Sequence, residues 1–242
     1  MNRLTEAIKH LIIINVILFL PGALLELDLT NVLALHFPQN EHFGFWQYVT
    51  HMFMHGSFAH ILFNMYGLWA FGTPLEQMWG RNKFLFFYFS AGIGAALIYT
   101  LVNYYQFDAI YDQLINLGVS ASDIQNILSV GKYDQNSINI PFETMQKFYS
   151  LYNTPAVGAS GAVYGVLVAF GMYFKDAKLA LIFFPIPIAA KYFIPLIIAG
   201  DLFFGMTKYS VGNVAHFAHV GGALIGFIIA YYWKRNHFKR WK

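Results

Sequence analysis

Six apolar runs divide the chain, and each is close to the roughly 20 residues that an α-helix needs to cross a bilayer. Polar segments separate the runs, which predicts membrane-spanning helices joined by connections outside the hydrocarbon. The fifth run follows residues 179–190, where Pro185 and Pro187 argue against a regular helix and indicate a connection at the membrane surface. The runs cover residues 8–27, 48–71, 84–105, 156–174, 191–207 and 212–233.

The connection between the first two runs, residues 28–47, is rich in aromatic side chains. Tryptophan and tyrosine, with other aromatic residues, favour the boundary between membrane and water. This connection is therefore predicted to lie along the membrane surface. Its aromatic residues include Phe37, Phe43, Phe45 and Trp46.

Residues 106–153 are polar and separate the third and fourth spans. We expect them to form an external insertion within a single domain that covers residues 1–242. Ser122 followed by Gln125 is typical of a capping box and predicts the start of a short helix. Residues 142–152 have an amphipathic pattern and predict a second helix.

Composition supports a membrane protein over a soluble one. Hydrophobic residues make up 57% of the chain and charged residues 11%, whereas a soluble domain carries about 25% charged residues. The first run has no small-x-small cleavage pattern and is followed by further spans, so we interpret it as a retained helix and not a signal peptide. The absence of cysteine excludes disulfides and thiolate metal sites, and a net charge of +3 is too small to indicate a nucleic-acid partner.

The basic residues predict the orientation of the chain. With six spans both termini share a side, and twelve of the fifteen Lys and Arg residues fall on it. The positive-inside rule makes that side cytoplasmic, which predicts a multi-pass protein of a bacterial inner membrane with both termini in the cytoplasm. Lys132, Lys147 and Lys208 fall on the external side, and the cytoplasmic set is Arg3, Lys9, Arg81, Lys83, Lys175, Lys178, Lys191, Lys234, Arg235, Lys239, Arg240 and Lys242.

The second span carries four polar side chains: His51, His55, His60 and Asn64. Such groups are costly in hydrocarbon and indicate either function or hydrogen bonds between helices. His60 and Asn64 are four positions apart, so they share a helix face and can donate hydrogen bonds to one point. His51 and His55 have the same spacing, but without a carboxylate or cysteine they are poor metal ligands, and a structural role is predicted.

The segment VGASGAVYG, residues 157–165, places one serine among small residues inside an apolar run. The last run contains His216 and His219, followed by Gly222 and Gly226 in a GxxxG pattern, which is typical of membrane helices that pack closely. If these two small faces meet, Ser160 and His219 come within hydrogen-bonding distance. A serine beside a histidine is a nucleophile beside its base.

Further features of this helix suit acyl transfer. Tyr164 lies four residues after Ser160, so its ring can pack against the imidazole. Thr154 and Pro155 resemble an N-cap and a first helical residue, which places Ser160 near a helix start where free N–H groups stabilise an oxyanion. The acids near the last three spans, Asp176 and Asp201, lie at predicted helix ends, so we expect no triad and predict a Ser–His dyad.

These residues resemble the rhomboid family of intramembrane serine proteases, in several motifs that occur in the same order. The turn FGTPLEQMWG at residues 71–80, with Glu76 in its acidic position, is also similar to that family's turn after the second helix. The motifs are GxSG with a tyrosine four residues after the serine (158–161 and Tyr164), HxxxxHxxxN (His55, His60, Asn64) and AHxxGxxxG (Ala218, His219, Gly222, Gly226).

The resemblance implies an all-α polytopic membrane protein with six transmembrane helices in a rhomboid-like bundle. It also implies cleavage of transmembrane protein substrates at or just inside the membrane, in contact with lipid and without a metal or cofactor. By motif position, Ser160 is the nucleophile, His219 the general base, and His60, Asn64 and the Ser160 amide the oxyanion site. Two features depart from the family pattern: Trp46-Gln47 replaces its usual Trp-Arg pair, and the 106–153 connection is longer than usual for a compact member.

Other function classes fit the sequence less well. A proteolytically inactive rhomboid-like chaperone or substrate-binding protein would retain the fold and lose the dyad, but Ser160 and His219 are both present. A metal transporter could use the histidines of the second and last spans, but no acid within the membrane neutralises the ion in the predicted arrangement. A zinc metalloprotease of the common type would need HExxH, which the chain lacks.

Overall fold

The computed structural model describes residues 4–133, 138–181, 184–207 and 215–239, and it consists mainly of α-helices. Of the basic residues that predict the orientation, Arg3, Lys208, Arg240 and Lys242 lie outside these ranges. A 3₁₀ turn at His51–Phe53 precedes the helix Phe58–Gly67, and a π turn at Leu68–Gly72 joins that helix to the helix Thr73–Trp79. The elements are α1 (Glu6–Leu25), α2 (Thr30–Leu33), α3 (Gln47–Thr50), α4 (Phe58–Gly67), α5 (Thr73–Trp79), α6 (Arg81–Asn116), α7 (Ala121–Val130), α8 (Phe142–Asn153), α9 (Ser160–Tyr173), β1 (Lys178–Leu181), β2 (Phe184–Ala189), α10 (Ala190–Met206) and α11 (His216–Lys239).

Helical structure covers much of each predicted apolar run, although the bounds differ. Within the described ranges, α1 and α6 are the two helices long and apolar enough to cross a membrane, and α9 is a shorter apolar helix. α6 has 36 residues, which corresponds to about 54 Å at 1.5 Å per residue. The hydrocarbon core of a bilayer is only about 30 Å thick, so α6 extends well beyond the predicted span at residues 84–105.

The second predicted run, residues 48–71, is not one continuous helix, so its predicted bounds are wrong. α4 begins only at Phe58, because the Ser57 hydroxyl caps it by accepting a hydrogen bond from the His60 amide at 3.2 Å. The helix then continues through the π turn into α5, which ends before Gly80. The φ of +80° at Gly80 is one that glycine adopts easily.

Glu76 in α5 fixes the start of α1 against the bundle. Its buried carboxylate accepts hydrogen bonds from the amides of Ala7 at 2.8 Å and Ile8 at 3.1 Å, and from the hydroxyl of Thr5. A negative charge at a helix N-terminus satisfies free N–H groups and interacts favourably with the helix dipole. The acidic residue of the 71–80 turn therefore joins two parts of the bundle that are distant in sequence.

The predicted N-cap at Thr154 and Pro155 is wrong, because α9 begins at Ser160 itself. Thr154 instead ends α8, and a proline just after a helix C-terminus is common because it cannot continue the helix. Ala156 then pairs with Leu35 through two backbone hydrogen bonds of 2.8 and 2.9 Å. The segment before Ser160 is thus extended chain tied to the first connection.

Residues 179–190 were predicted to be a connection without regular helix, and of these 179–181 and 184–189 lie in two paired β-strands. β1 and β2 pair antiparallel, with Lys178 opposite Ala189 and Leu179 opposite Ile188. The two prolines belong to β2, and prolines are tolerated in strands that have a free edge. β2 leads directly into α10.

The first connection is held by the side-chain amide of Gln47, the residue that departs from the family's Trp-Arg pair. Gln47 is fully buried; it donates to the His42 carbonyl at 2.7 Å and accepts from the His36 amide at 3.1 Å. The indole N–H of Trp46 donates to the Val32 carbonyl at 2.7 Å. An amide therefore anchors this connection, where the family that the sequence resembles usually has a guanidinium.

Residues 106–133 and 138–153 share a second hydrophobic core with the first connection, distinct from the core of the bundle. The two segments are also joined by hydrogen bonds: the Tyr152 hydroxyl donates to the Gln39 carbonyl at 2.9 Å, and the Asn40 amide donates to the Tyr152 carbonyl at 3.0 Å. We call this arrangement the second-core unit. Its buried residues are Phe37, Phe107, Ile110, Leu114, Ile124, Ile127, Leu128, Ile138, Ile140, Met145 and Phe148.

The helices predicted between residues 106 and 153 are present as α7 and α8. Ser120, and not the predicted Ser122, caps α7, because its hydroxyl accepts a hydrogen bond from the Asp123 amide at 3.1 Å. The amphipathic pattern at 142–152 correctly predicted α8, which buries Met145 and Phe148.

Candidate active site

Ser160 and His219 lie within hydrogen-bonding distance of each other, on α9 and α11. The Ser160 hydroxyl oxygen is 2.9 Å from His219 Nε2. Ser160 is the first residue of α9 and is partly exposed, whereas the His219 side chain is 13% exposed. The serine can thus be reached by another molecule while the imidazole behind it is mostly enclosed.

Glycines bring the two helices into backbone contact at this point. A Cβ atom built on Gly222 would lie 1.9 Å from the Gly161 carbonyl oxygen, and one on Gly226 would lie 2.5 Å from the Gly165 Cα. Neither position can hold a side chain without movement of the backbone. The small residues around Ser160 and the GxxxG pattern of α11 therefore have one physical role: they allow the helices to approach closely enough for the Ser160–His219 contact.

Gly158 shapes the backbone just before the serine. Its φ is +125°, a conformation that L side chains rarely adopt, and its amide donates to the His51 carbonyl at 2.9 Å. A Cβ atom here would lie 2.8 Å from His60 Cε1 and Nε2, and 3.6 Å from the Ser160 hydroxyl oxygen. The absence of a side chain at Gly158 thus allows the His60 imidazole to lie beside the serine.

Asn64 lies one turn further along α4 than His60, on the same face, and is buried. Its side-chain amide donates to the His60 carbonyl at 2.9 Å. An amide nitrogen carries two hydrogens, and this bond uses one of them. The structure therefore brings His60 next to the serine and places Asn64 directly behind it on the same face.

His51 and His55 support the site from behind: their contacts are with Gln47, Gly158 and His60. The buried His51 ring donates through Nδ1–H to the Gln47 carbonyl at 2.7 Å, while its own carbonyl holds Gly158. The ring of His55 packs edge-to-face on that of His60, with 5.0 Å between ring centroids. These contacts agree with the structural role predicted for both histidines.

The Tyr164 ring stacks on the His219 imidazole, with 4.2 Å between ring centroids and an angle of 12° between the planes. This confirms the packing predicted from the spacing of Ser160 and Tyr164. The stacking limits rotation of the imidazole about its side-chain bonds. His219 is thus held on one side by an aromatic ring and faces Ser160 with Nε2.

The expectation that no acid is available to His219 is wrong. Asp201 is buried within α10, and its Oδ1 accepts hydrogen bonds from Nδ1–H of His219 at 3.1 Å and of His216 at 2.7 Å. Its Oδ2 accepts a hydrogen bond from the Tyr164 hydroxyl. Because α10 packs against both α9 and α11, its carboxylate reaches the imidazole from the side opposite Ser160.

A signal for Asp201 was present in the sequence. The residue stands alone among the apolar residues of LIIAGDLFFGM, five positions before the end of α10. An isolated carboxylate inside an apolar run is costly unless polar partners surround it. That cost indicates polar partners on neighbouring helices, and two histidines and a tyrosine were the available candidates.

The similarity of the chain to known proteins extends over the residues of this site. The family model of the Rhomboid domain matches residues 42–123 and 138–236. These ranges include the four predicted site residues Ser160, His219, His60 and Asn64, together with Asp201.

Three relatives give the degree of similarity. "Rhomboid protein 1, mitochondrial" of Saccharomyces cerevisiae is 28% identical over 180 residues, covering 74% of this chain and 39% of the relative. "Rhomboid protease AarA" of Providencia stuartii is 28% identical over 191 residues, covering 76% of this chain and 54% of the relative. "Rhomboid protease GluP" of Bacillus subtilis is 26% identical over 185 residues, covering 76% of this chain and 25% of the relative. The chain thus spans between 25% and 54% of the length of these three relatives.

Proposed function

Because the chain belongs to the rhomboid family, we propose that it is an intramembrane serine endopeptidase that cleaves transmembrane protein substrates with Ser160 and His219. The observation that carries this proposal is the 2.9 Å distance between the Ser160 hydroxyl and His219 Nε2. A serine hydroxyl becomes an effective nucleophile when an adjacent base accepts its proton. Two of the relatives are named as proteases, which supports the same reaction class.

The proposed reaction uses the Ser160–His219 contact in each of its steps. His219 Nε2 takes the proton of the Ser160 hydroxyl as its oxygen attacks the scissile carbonyl, and the carbonyl oxygen becomes an oxyanion. The protonated imidazole then gives its proton to the leaving amine, and the peptide bond breaks to leave an acyl-enzyme. Water attacks the ester with His219 again as base, which releases the carboxylate product and restores Ser160.

We assign the oxyanion site to the N-terminus of α9 and the face of α4. The first hydrogen bond at the start of α9 is donated by the Val163 amide to the Ala159 carbonyl at 3.0 Å. The Ser160 amide lies before this bond in the chain, among the first amides of the helix. Free amides and the positive end of the helix dipole there favour a negative charge. His60 lies beside Gly158, and the second hydrogen of the Asn64 amide is the one that we assign to the oxyanion.

As a rhomboid-family protein, the chain is a multi-pass integral membrane protein; the proposal adds six spans with both termini cytoplasmic. Basic residues at one end of the bundle support this orientation: Lys83 lies 4.3 Å from the Trp233 ring centroid, and Lys234 donates to the Met172 carbonyl at 2.6 Å. Ser160 is at the opposite end of α9. We assign the basic end to the cytoplasmic face of a bacterial inner membrane.

The length of α9 supports cleavage below the membrane surface. The helix has 14 residues, a rise of about 21 Å, whereas the hydrocarbon core is about 30 Å thick. With Tyr173 at the cytoplasmic boundary, Ser160 lies about 10 Å inside the opposite boundary. A soluble peptide does not reach that depth easily, so a transmembrane segment entering from the lipid is the expected substrate class.

The proposal is tested with the purified chain in lipid vesicles, a protein substrate that has one transmembrane segment, and a serine-directed fluorophosphonate probe. We expect cleavage within or next to the segment and covalent labelling of Ser160, both unchanged by EDTA because no step uses a metal. The alternative, a rhomboid-like chaperone or substrate-binding protein, predicts substrate binding with neither cleavage nor labelling. That result would refute the protease proposal.

The oxyanion assignment gives a graded prediction. Removal of one oxyanion donor lowers the rate by roughly 10²–10³-fold, so we expect a fall of this size in kcat for Asn64→Ala, with residual activity from the remaining donors. Asn15→Ala is a matched control, for which we expect kcat to stay unchanged. Asn15 is buried on α1 and donates to the Leu11 carbonyl at 2.8 Å, four residues earlier, as Asn64 does to His60. Unchanged turnover in both Asn64→Ala and His60→Ala would return the pair to a structural role.

The second-core unit is proposed to be external and accessory, so its disruption should separate two assays. Phe148 is fully buried in its core, and we expect Phe148→Ala to cost about 3–5 kcal/mol and lower the unfolding temperature. Labelling of Ser160 by a small probe should persist, while cleavage of a protein substrate falls. Phe142→Ala, at a 58% exposed position on the same helix, should change neither the labelling of Ser160 nor the cleavage of a protein substrate. Loss of small-probe labelling in a folded Phe148→Ala protein would mean that the unit helps to build the site.

A further inference from the structure

We propose that Asp201 is the positioning acid of His219, so that the working unit is Ser160–His219–Asp201 and not a dyad. This inference rests on the proposed proteolytic function. It goes beyond that function and beyond what the family resemblance implied, because the resemblance implied no acid. The carboxylate has partners on both neighbouring helices: Tyr164 on α9, and His216 and His219 on α11.

The contacts of Asp201 determine which nitrogen of His219 carries the proton. An ionised carboxylate only accepts hydrogen bonds, so His219 must donate through Nδ1–H at 3.1 Å. In the neutral imidazole, Nε2 then carries a lone pair, and this atom faces the Ser160 hydroxyl at 2.9 Å. The acid thus selects the tautomer that can accept the serine proton.

The acid also stabilises the charge that forms during the reaction. When His219 accepts the proton of Ser160, the imidazolium lies 3.1 Å from a buried carboxylate. The attraction between opposite charges is much stronger in a medium of low dielectric constant than in water. It arises only after proton transfer begins, so it lowers the barrier without tightening substrate binding.

The other two partners hold the acid in place. His216 donates to the same oxygen at the shorter distance of 2.7 Å, and the Tyr164 hydroxyl occupies the second oxygen. The carboxylate therefore keeps its position while His219 gains and loses a proton. Tyr164 acts twice, since its ring stacks on His219 and its hydroxyl binds the acid that orients His219.

A purely structural role is the competing explanation, because Asp201 connects three helices. The two roles differ in what they change. A structural tie affects folding and the fraction of active molecules, whereas a positioning acid affects kcat in molecules that are folded and bind substrate normally. Asp201→Asn separates the two, since asparagine keeps the shape and one acceptor oxygen, while it removes the charge and replaces the other oxygen with a donor amide.

The experiment measures kcat, KM and unfolding temperature for the vesicle-reconstituted protein, with the active fraction counted by end-point labelling of Ser160. For Asp201→Asn we expect kcat per active site to fall by about 10²–10⁴-fold, the range set by loss of a triad acid. KM and unfolding temperature should stay near their wild-type values. Unchanged kcat per active site would overturn the inference, as would a loss of activity explained entirely by unfolded protein.

Asp176→Asn is the matched control. Asp176 lies on the connection between α9 and β1, where Lys191 donates to it at 2.9 Å; this hydrogen bond lowers the pKa of the Asp176 carboxyl. The same change therefore removes one negative charge outside the site, and we expect kcat to remain unchanged.

If Asp201→Asn does not fold, Tyr164→Phe takes its place, because it removes only the hydroxyl bound to Oδ2 and keeps the stacking ring. We expect about a tenfold lower kcat there, the equivalent of one hydrogen bond to a charged group, and an unchanged kcat would overturn the inference.

The wild-type protein and Ser160→Ala distinguish this inference from the function on which it rests. If wild type neither cleaves nor labels, the protease proposal fails and the positioning acid fails with it. If wild type cleaves, Ser160→Ala does not, and Asp201→Asn cleaves at the wild-type rate, only the role of Asp201 is refuted.

Discussion

Ser160→Ala and His219→Ala should each abolish proteolysis while the protein still folds and inserts into the membrane. Each change removes one half of the 2.9 Å contact on which nucleophilic attack depends. Loss of a serine nucleophile or its base lowers kcat by about 10⁴–10⁶-fold in enzymes of this chemistry. The two residues act as one unit, so the double variant should be no less active than either single variant.

The controls for this prediction change the same residue types elsewhere. Ser150 lies on the exposed face of α8, and His10 lies on α1 with a side chain that is 52% exposed. Ser150→Ala and His10→Ala should cleave substrate at the wild-type rate. Substantial cleavage by a folded Ser160→Ala protein, measured in the same vesicles, would eliminate the serine mechanism.

The sequence was sufficient to predict the Ser160–His219 contact because close packing leaves a direct trace in residue choice. Small residues at 161, 165, 222 and 226 are unusual unless two backbones meet. The polar residues near them then have few possible partners. This is a pairwise inference, and it needs only the spacing on each of two helices.

Asp201 was missed because its role depends on three helices at once. Judged by the predicted run at 191–207, it lay near a helix end, where a carboxylate is expected to face water. Its burial follows from the way α10 packs beside α9 and α11, which no pattern within α10 describes. The cost of an unpaired carboxylate in an apolar run was the signal to follow, and it indicated partners without identifying them.

Local signals failed where tertiary contacts overrode them. Thr154-Pro155 has the pattern of a helix start, yet the chain there is extended because Ala156 pairs with Leu35. The apolar pattern at 48–71 predicted one helix, but the N-cap at Ser57 makes α4 begin only at Phe58. Residues 106–153 were predicted as a polar insertion without a core of their own, since alternating buried and exposed positions dilute their apolar residues in an average over the segment.

Gly222→Leu should remove activity through geometry, because it separates the two helices that hold the dyad. A Cβ atom at this position would lie 1.9 Å from the Gly161 carbonyl oxygen, against an ordinary contact of 3.4 Å or more. The neighbour is backbone and cannot rotate away, so α9 and α11 must move apart by about 1.5 Å or more to restore a normal van der Waals distance. A misplacement of about 1 Å costs on the order of 10²-fold in rate.

Two measurements show that the loss comes from separation of the helices. Labelling of Ser160 by a small probe should fall in parallel with cleavage, because the probe also needs His219 within reach of the serine. Gly222→Ala should be impaired as well, since alanine already carries the offending Cβ. Gly22→Leu on α1 is the control: outside its own helical turn, the described atom near its built Cβ is the Leu27 carbonyl oxygen, at an ordinary contact distance of 3.7 Å, and both assays should be unaffected. Full cleavage and labelling by Gly222→Leu would mean that α9 and α11 do not meet at this glycine in the active protein.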